Sequence, residues 1–269
     1  GRVSSMPESN NTVIDALFKV GAHFGFSRSR RHATMKGLIF GAKGKTDILD
    51  LTKTAPLLED ALAFMRGLGA TGMKVLFVGG KLEMQDLTRT AAEAVGMPYV
   101  AGRWLGGTMT NFVEIKKRIK RMIELTTDRE AGVLAKKYTK KERLLIDREI
   151  TRLEGNFLGL VTLEKIPDAL VVVDTRKEVI AVREAKTLRV PVIGIMNSDC
   201  DFSLVSHPIV GNDASRESVK FFLDRVVDAY KEGTKGNVSR LVPVPEGKLP
   251  MSSEEGQAIG VEKGNALKA

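Results

Sequence analysis

The most enzyme-like residues of the chain are two aspartates, Asp199 and Asp201. They follow the apolar run at 191–196, which reads as a buried strand, and doubly wound sheets bind ligands in the loops after their strands. Two carboxylates in such a loop indicate a ligand site, although a solvated loop accounts for them equally well. Whether these two aspartates form a ligand site therefore depends on the other motifs of the chain and on the elements that position them.

Metal binding is the second chemistry to consider, because the chain has three histidines and one cysteine. The spacing of His23, His32, Cys200 and His207 matches no standard metal site, so packing or surface roles are predicted for all four. A single cysteine also excludes an internal disulfide framework and a multi-cysteine zinc site. We therefore expect no metal.

Two glycine-rich segments imitate nucleotide-binding loops. Residues 67–72 match G-x-G-x-x-G, but they end a helix and precede a strand, whereas the dinucleotide motif follows a strand and opens a helix. Residues 41–46 resemble a phosphate-binding P-loop, but Ile39 stands where that motif needs glycine. A helix C-cap and a hairpin turn explain them better. With no G-x-S-x-G or H-E-x-x-H motif either, we expect no cofactor and no enzyme activity.

The charge distribution gives the first positive indication of function. Lysine and arginine total 42 against 33 acidic residues, for a net charge of +9. Segment 1–36 has six basic and two acidic residues, and segment 103–155 has 14 and eight, so these two segments hold all the excess. Such clustering is typical of a surface that binds a polyanion, although a solvated basic surface would look the same. The candidate residues for binding such a polyanion are Arg28, Arg30, Arg31, Lys36, Arg103, Lys116, Lys117, Lys120, Arg121, Lys136, Lys137, Lys140 and Lys141.

Most of the remaining chain alternates between apolar runs and helical periodicity. Continuous apolar runs bounded by helices predict a parallel sheet covered on both faces, which is a doubly wound α/β layer. Residues 21–35 show no period and read as an extended loop, and 38–49 reads as a β-hairpin. The predicted strands are 74–80, 97–100, 167–174 and 191–196, and the predicted helices are 11–20, 54–72 with Thr54 as its cap, 82–95, 176–188 and 214–231.

Segment 104–157 interrupts this alternation with two helical seams. Apolar residues recur at 3-4-3 spacing from Phe112 and at 4-3-4 spacing from Ile146, which predicts an antiparallel coiled-coil hairpin. Thr139 and Glu142 form the capping-box pattern T-x-x-E for its second helix. Trp104, at the base, reads as a buried anchor, with stacking on a nucleobase as the alternative.

These boundaries predict four parts. They are an N-terminal helix and basic loop at 1–36, an α/β body at 37–103 and 158–232, the hairpin insertion at 104–157, and a flexible C-terminal tail at 233–269. The tail is rich in Gly, Pro, Ser and charge, so any order in it would come from a partner. No apolar run reaches the length that a membrane span needs, so no membrane association is expected.

Several runs resemble one known family. GAHFG at 21–25, RWLGGTMTNF at 103–112, YTKKE at 138–142 and PDALVVVDTRKEVIAVREAKTLRVP at 167–191 are similar to the bacterial-type small-subunit ribosomal protein two. So are DLTKTAPLLEDALAFM, KVLFVG and GNDAS, and the similarity is collinear from about residue 11 to 232. The chain departs from the family at Phe26, where a second histidine is usual, and across 28–35 and 197–202.

The resemblance implies a flavodoxin-like parallel sheet with an inserted coiled-coil hairpin. It also implies a structural protein that binds small-subunit rRNA, with the N-terminal basic loop and the hairpin facing RNA. Its neighbours would be other small-subunit proteins, including the large multi-domain protein one. Its location would be the cytoplasmic ribosome of a bacterium, or alternatively an organellar ribosome.

Two other classes of function remain as alternatives. A flavodoxin-like nucleotide-binding enzyme would need a glycine-rich loop that binds phosphate. Both glycine-rich segments, 41–46 and 67–72, lie in the wrong structural context for that role. A coiled-coil adaptor that binds only protein would leave the basic excess unexplained.

Overall fold

The computed structural model describes residues 8–238, with side chains from 12 to 236. Its helices are α1 (Glu8–Lys19), α2 (Leu51–Thr71), α3 (Gln85–Glu93), α4 (Phe112–Glu130), α5 (Val133–Lys137), α6 (Lys140–Phe157), α7 (Val179–Thr187) and α8 (Arg216–Val238). Its strands are β1 (Phe24–Ser27), β2 (Ile39–Lys43), β3 (Thr46–Leu49), β4 (Val75–Val78), β5 (Tyr99–Val100), β6 (Ala169–Val173), β7 (Val192–Met196) and β8 (His207–Val210). Within this range, no helix is long and apolar enough to cross a membrane.

The centre of the structure is a parallel five-stranded sheet in the order β5-β4-β6-β7-β8. Successive strand residues face opposite sides, so Val75 and Phe77 join one hydrophobic cluster while Leu76 and Val78 join another. The first cluster includes residues of α2, α3 and α8, and the second includes residues of α4, α6 and α7. Helices thus cover both faces, which confirms the predicted α/β class and is consistent with a flavodoxin-like fold.

The glycines of the false dinucleotide motif have structural roles. Gly72 adopts a left-handed conformation (φ +66°) and caps α2, as predicted. A Cβ atom on Gly69 would lie 2.2 Å from the carbonyl oxygen of Tyr230 on α8. Gly69 therefore lets two helix backbones approach each other, and no phosphate is needed to explain it.

The N-terminal region differs from its prediction as a loop. Residues 24–27 form β1, which pairs antiparallel with β3, so the predicted hairpin of β2 and β3 becomes a three-stranded sheet. Helical 3₁₀ turns follow at Arg28–Arg30 and Ala33–Leu38. The loop prediction was wrong because a four-residue strand has too few residues to show a period, and it exists only through its pairing.

Two predicted helix boundaries and one missed strand also require correction. Helix α2 starts at Leu51 with Asp50 as its cap, one turn before the predicted cap Thr54, because Asp50 accepts a hydrogen bond from the backbone N–H of Thr52. Strand β8 was not predicted. Helix α8 continues to Val238, into the segment predicted as tail. The rest of the predicted tail, 239–269, lies outside the described residues.

Candidate nucleic-acid interface

Helix α4 presents a row of exposed cations. Lys117, Lys120 and Arg121 lie on one stripe by their 3- and 4-residue spacing, and all three are exposed. Each has an acidic neighbour, at 2.6 Å for Lys117 with Glu114 and 3.8 Å for Arg121 with Glu149. Exposed ion pairs of this kind contribute little, about 0–1 kcal/mol, so these cations stay available to a phosphate.

The stretch from α5 to the start of α6 carries four more exposed lysines, Lys136, Lys137, Lys140 and Lys141. Lys140 and Lys141 occupy the first turn of α6, where the helix dipole favours negative charge, so their position opposes local stability. The predicted capping box of Thr139 and Glu142 is confirmed and offsets part of this cost.

The base of α4 is fixed by a buried carboxylate. Glu184 of α7 accepts hydrogen bonds from the backbone N–H groups of Gly107, Met109 and Thr110, at 2.7, 3.0 and 3.0 Å. The indole Nε1 of Trp104 donates to the same carboxylate at 3.1 Å. Trp104 is 5% exposed, which confirms the buried anchor and leaves no ring face for a nucleobase.

These hydrogen bonds also affect the titration of Glu184. Burial alone would raise the pKa of this carboxyl, but the donated hydrogen bonds, with that from the Thr110 N–H the strongest, outweigh it and lower the pKa below the ordinary value. Glu184 is therefore ionised at neutral pH and orders the 104–110 segment. Arg103, immediately before that segment, is exposed beside it.

The N-terminal basic residues divide into free and anchored cations. Arg28 and Lys36 are exposed, and no carboxylate partner is present for either side chain in the described range. Arg31 is half-buried and forms two hydrogen bonds with the buried carboxylate of Asp47, one of them from Nε at 2.7 Å. The Nη2 atom of Arg30 lies 2.9 Å from Asp199.

The aspartates that looked enzyme-like serve this basic region. Asp199 is 6% exposed, so a solvated loop was the wrong interpretation for it. It forms ion pairs with Arg30 and, at 2.6 Å, with Arg176. Asp201 caps the turn at Phe202–Leu204 by accepting from the N–H of Ser203.

The histidines occupy three separate places. His23 stacks on the ring of Phe18 and makes a tilted contact with the ring of Phe24, and His207 pairs with Asp60 at 2.9 Å. The Nδ1 of His32 lies 2.8 Å from a hydroxyl and 4.0 Å from Asp201. The predicted packing and surface roles account for each of these contacts.

A compact acidic centre lies at the carboxyl edge of the sheet. Ligand atoms of Asp174, Cys200 and Asp213 all lie within 4.8 Å of one another, so these three side chains could reach one ion. The ammonium of Lys81 lies 2.8 Å from Asp174 and 3.8 Å from Asp213, and it already supplies a positive charge there. Burial raises the pKa of the Cys200 thiol to about 12, so it stays protonated. We interpret the centre as an internal ion-pair network.

Asp213 makes this centre sensitive to pH. Burial and the nearby Asp174 raise its pKa to about 7, although Lys81 acts in the opposite direction. In the unfolded chain this carboxyl has its ordinary pKa of 3.8. Between pH 3.8 and about 7 it therefore binds fewer protons in the unfolded chain than in the folded one. Folding stability should therefore fall as pH rises from about 4 to 7, and the cost persists above pH 7.

The substitution Asp213→Asn should remove that cost. We expect the variant to be more stable than the parent chain at pH 8 by about 1–2 kcal/mol, with the difference vanishing near pH 4. Urea unfolding at both pH values measures it. The control Asp224→Asn changes an exposed carboxylate on α8 and should show no such pH dependence. A variant less stable than the parent at pH 8 would show that the ionised carboxylate stabilises the fold.

Comparison with known proteins decides the family. The family model for Ribosomal protein S2 matches residues 17–233. The small ribosomal subunit protein uS2 of Coprothermobacter proteolyticus is 38% identical over 251 residues, covering 93% of this chain and 89% of the relative. That of Fusobacterium nucleatum is also 38% identical, over 242 residues, covering 90% and 96%. The chain belongs to the ribosomal protein S2 family.

Membership in the S2 family confirms the resemblance and the prediction that the chain is not an enzyme. A chain of this family is a structural ribosomal constituent. Of the two strand-end aspartates, Asp199 forms ion pairs with arginines and Asp201 caps a turn. At the departure from the family pattern, the guanidinium of Arg30 lies 4.3 Å from the centre of the Phe26 ring. Phe26 therefore helps to position a cation by a cation–π contact.

Sequence reasoning missed two exposed arginines, Arg176 and Arg183, because they lie outside the two basic segments. Arg176 follows β6 and Arg183 lies on α7, and both line the same cavity as Arg30. Only the fold brings them beside the N-terminal loop. The position of Arg176 in the loop after the buried strand β6, where ligand-binding loops occur, was the one available signal.

Proposed function

We propose that this S2-family chain binds small-subunit rRNA through its N-terminal basic loop and through the basic surface of α4, α5 and α6. One observation carries the proposal. Of the 13 candidate residues, all but Arg31 are exposed, although they come from two segments about 70 residues apart. Lysine and arginine at such a surface neutralise phosphates and fix the orientation of the protein on RNA, with little reading of bases.

The proposal includes an antiparallel coiled-coil arrangement for 104–157. Helix α4 buries Ile115 and Ile119, and helix α6 buries Ile150 and Leu153. All four side chains belong to one hydrophobic cluster. The ion pair between Arg121 and Glu149 joins the same two helices. This packing leaves the basic residues on the outside, where RNA can reach them.

The wider setting is proposed from the family. The chain would lie in the small ribosomal subunit, bacterial or organellar, beside rRNA and other small-subunit proteins, with the large multi-domain protein one among them. Residues 1–36, 104–157 and 233–269 would contact these partners, and the body at 37–103 and 158–232 would hold them in place.

Replacing Lys117, Lys120 and Arg121 together by alanine tests the role of α4. We expect weaker binding of a small-subunit rRNA fragment and a salt slope, d log K/d log[salt], that is smaller by about 2–3, because each lost phosphate contact removes about 0.7–0.9. Filter binding at several salt concentrations measures both, and circular dichroism should stay unchanged.

The matched control carries Lys220→Ala, Arg225→Ala and Lys231→Ala, which remove the same charge from α8 on the other face of the sheet. It should keep the parent slope. Equal slopes for both triple variants would refute the role of α4, and loss of helix content in the first would assign its cations to folding instead.

A further inference from the structure

A cavity of about 400 Å³ lies between the N-terminal loop and helix α7. Arg30 and Arg31 line it from the loop, and Arg176 and Arg183 line it from the segment that follows β6. Four arginines thus line one cavity with two aspartates, Asp199 and Asp201. Because Arg31 is already paired with Asp47, which does not line the cavity, an excess of one positive charge remains. A concave site with convergent cations of this kind is suited to an anion.

The guanidiniums of Arg30 and Arg176 are held in place before any ligand arrives. Both donate to the same oxygen, Oδ2 of the buried Asp199, at 2.9 and 2.6 Å. Each guanidinium has five N–H donors, so one bond to Asp199 leaves several for a ligand. About half of each side chain is exposed, at 49% and 52%. A pair of pre-ordered, open guanidiniums loses little side-chain entropy on binding a phosphate.

Arg183 adds a cation with no compensating charge. In the described part of the chain, no carboxylate lies within ion-pair distance of its guanidinium, and the side chain is exposed. Val179, Val182 and Leu204 form an apolar part of the same cavity wall. Cations beside an apolar wall suit a phosphate that carries a sugar, because the sugar can pack where the charges are not.

We infer that this cavity binds a backbone phosphate of RNA, held by Arg30, Arg176 and Arg183. The inference rests on the proposed RNA-binding function and extends it to two arginines outside the basic segments. A free phosphate has the same chemistry, but Arg30 lines the cavity and belongs to the same short turn as the exposed Arg28. A phosphate in a continuous RNA chain can therefore occupy the cavity while neighbouring phosphates contact the basic loop.

The double variant Arg176→Gln, Arg183→Gln tests the site. It leaves Asp199 paired with Arg30, so no buried carboxylate loses its last partner, and the variant should stay folded with a thermal midpoint a few degrees below that of the parent chain. We expect affinity for a small-subunit rRNA fragment to fall about 10-fold near physiological salt, with a salt slope smaller by about 1–2. The control Lys220→Gln, Arg225→Gln on α8 should keep the parent affinity and slope.

A second arm uses inorganic phosphate at constant ionic strength. The parent chain and the control should gain thermal stability with phosphate, and the double variant should not. If phosphate stabilises the parent while the double variant binds RNA with the parent slope, the site takes free phosphate and the RNA assignment is overturned. If phosphate has no effect and RNA binding is unchanged, the site itself is refuted. Failure of the parent chain to bind the rRNA fragment would instead refute the proposed function. The single variant Arg183→Gln breaks no ion pair. If the double variant unfolds, the same RNA and phosphate measurements on this single variant test the site.

Discussion

Replacing Glu184 by alanine is expected to lower the free energy of unfolding by about 3–5 kcal/mol. The substitution removes one acceptor from three backbone N–H groups and from the indole of Trp104, and each buried donor left unsatisfied costs about 1–3 kcal/mol. Water entering the space would recover part of this sum. Urea unfolding measures the change, and a loss below about 1 kcal/mol would contradict the assigned role.

The control Glu59→Ala removes an exposed carboxylate from α2, where the nearest guanidinium is 3.9 Å away, and should change stability by less than about 0.5 kcal/mol.

The pH dependence of stability gives a second check on the role of Glu184. Because hydrogen bonds lower the folded pKa of Glu184, its contribution is present above the ordinary value of 4.5 and is lost as pH falls below it. The difference between the parent chain and Glu184→Ala should therefore shrink in acid.

The sheet and its covering helices could be predicted because their signals are local. Strands such as β6 and β7 are continuous apolar runs, and each is followed by a helical period. The capping box at Thr139 depends only on residues three apart, and the structure confirms it. Gly72 ends α2 for an equally local reason, since a left-handed residue favours glycine.

Elements that depend on distant partners could not be predicted in the same way. Strand β1 has only four residues and forms by pairing with β3, some 20 residues further along the chain. Strand β8 is as short, and it adds to the edge of the sheet beside β7. In strands this short, the periodicity of the sequence carries too little information to predict the strand, and pairing with a neighbouring strand decides the structure.

The basic surface shows the same division between local and distant information. The charge of 1–36 and 103–155 is visible in composition, and exposure of its lysines follows from their helical spacing. The position of Asp199 between Arg30 and Arg176 joins residues more than 140 apart in sequence. Carboxylates that look catalytic after a strand can therefore be supports for cations, and only the fold distinguishes the two roles.

The salt dependence of rRNA binding tests the central claim most directly. If the basic loop and α4–α6 make six to ten phosphate contacts, affinity for a small-subunit rRNA fragment should fall by about 10³ to 10⁵ between 50 and 200 mM salt. An unrelated RNA of equal length serves as the control and should bind more weakly with a similar dependence. A flat response to salt, with affinity unchanged across that range, would contradict the account.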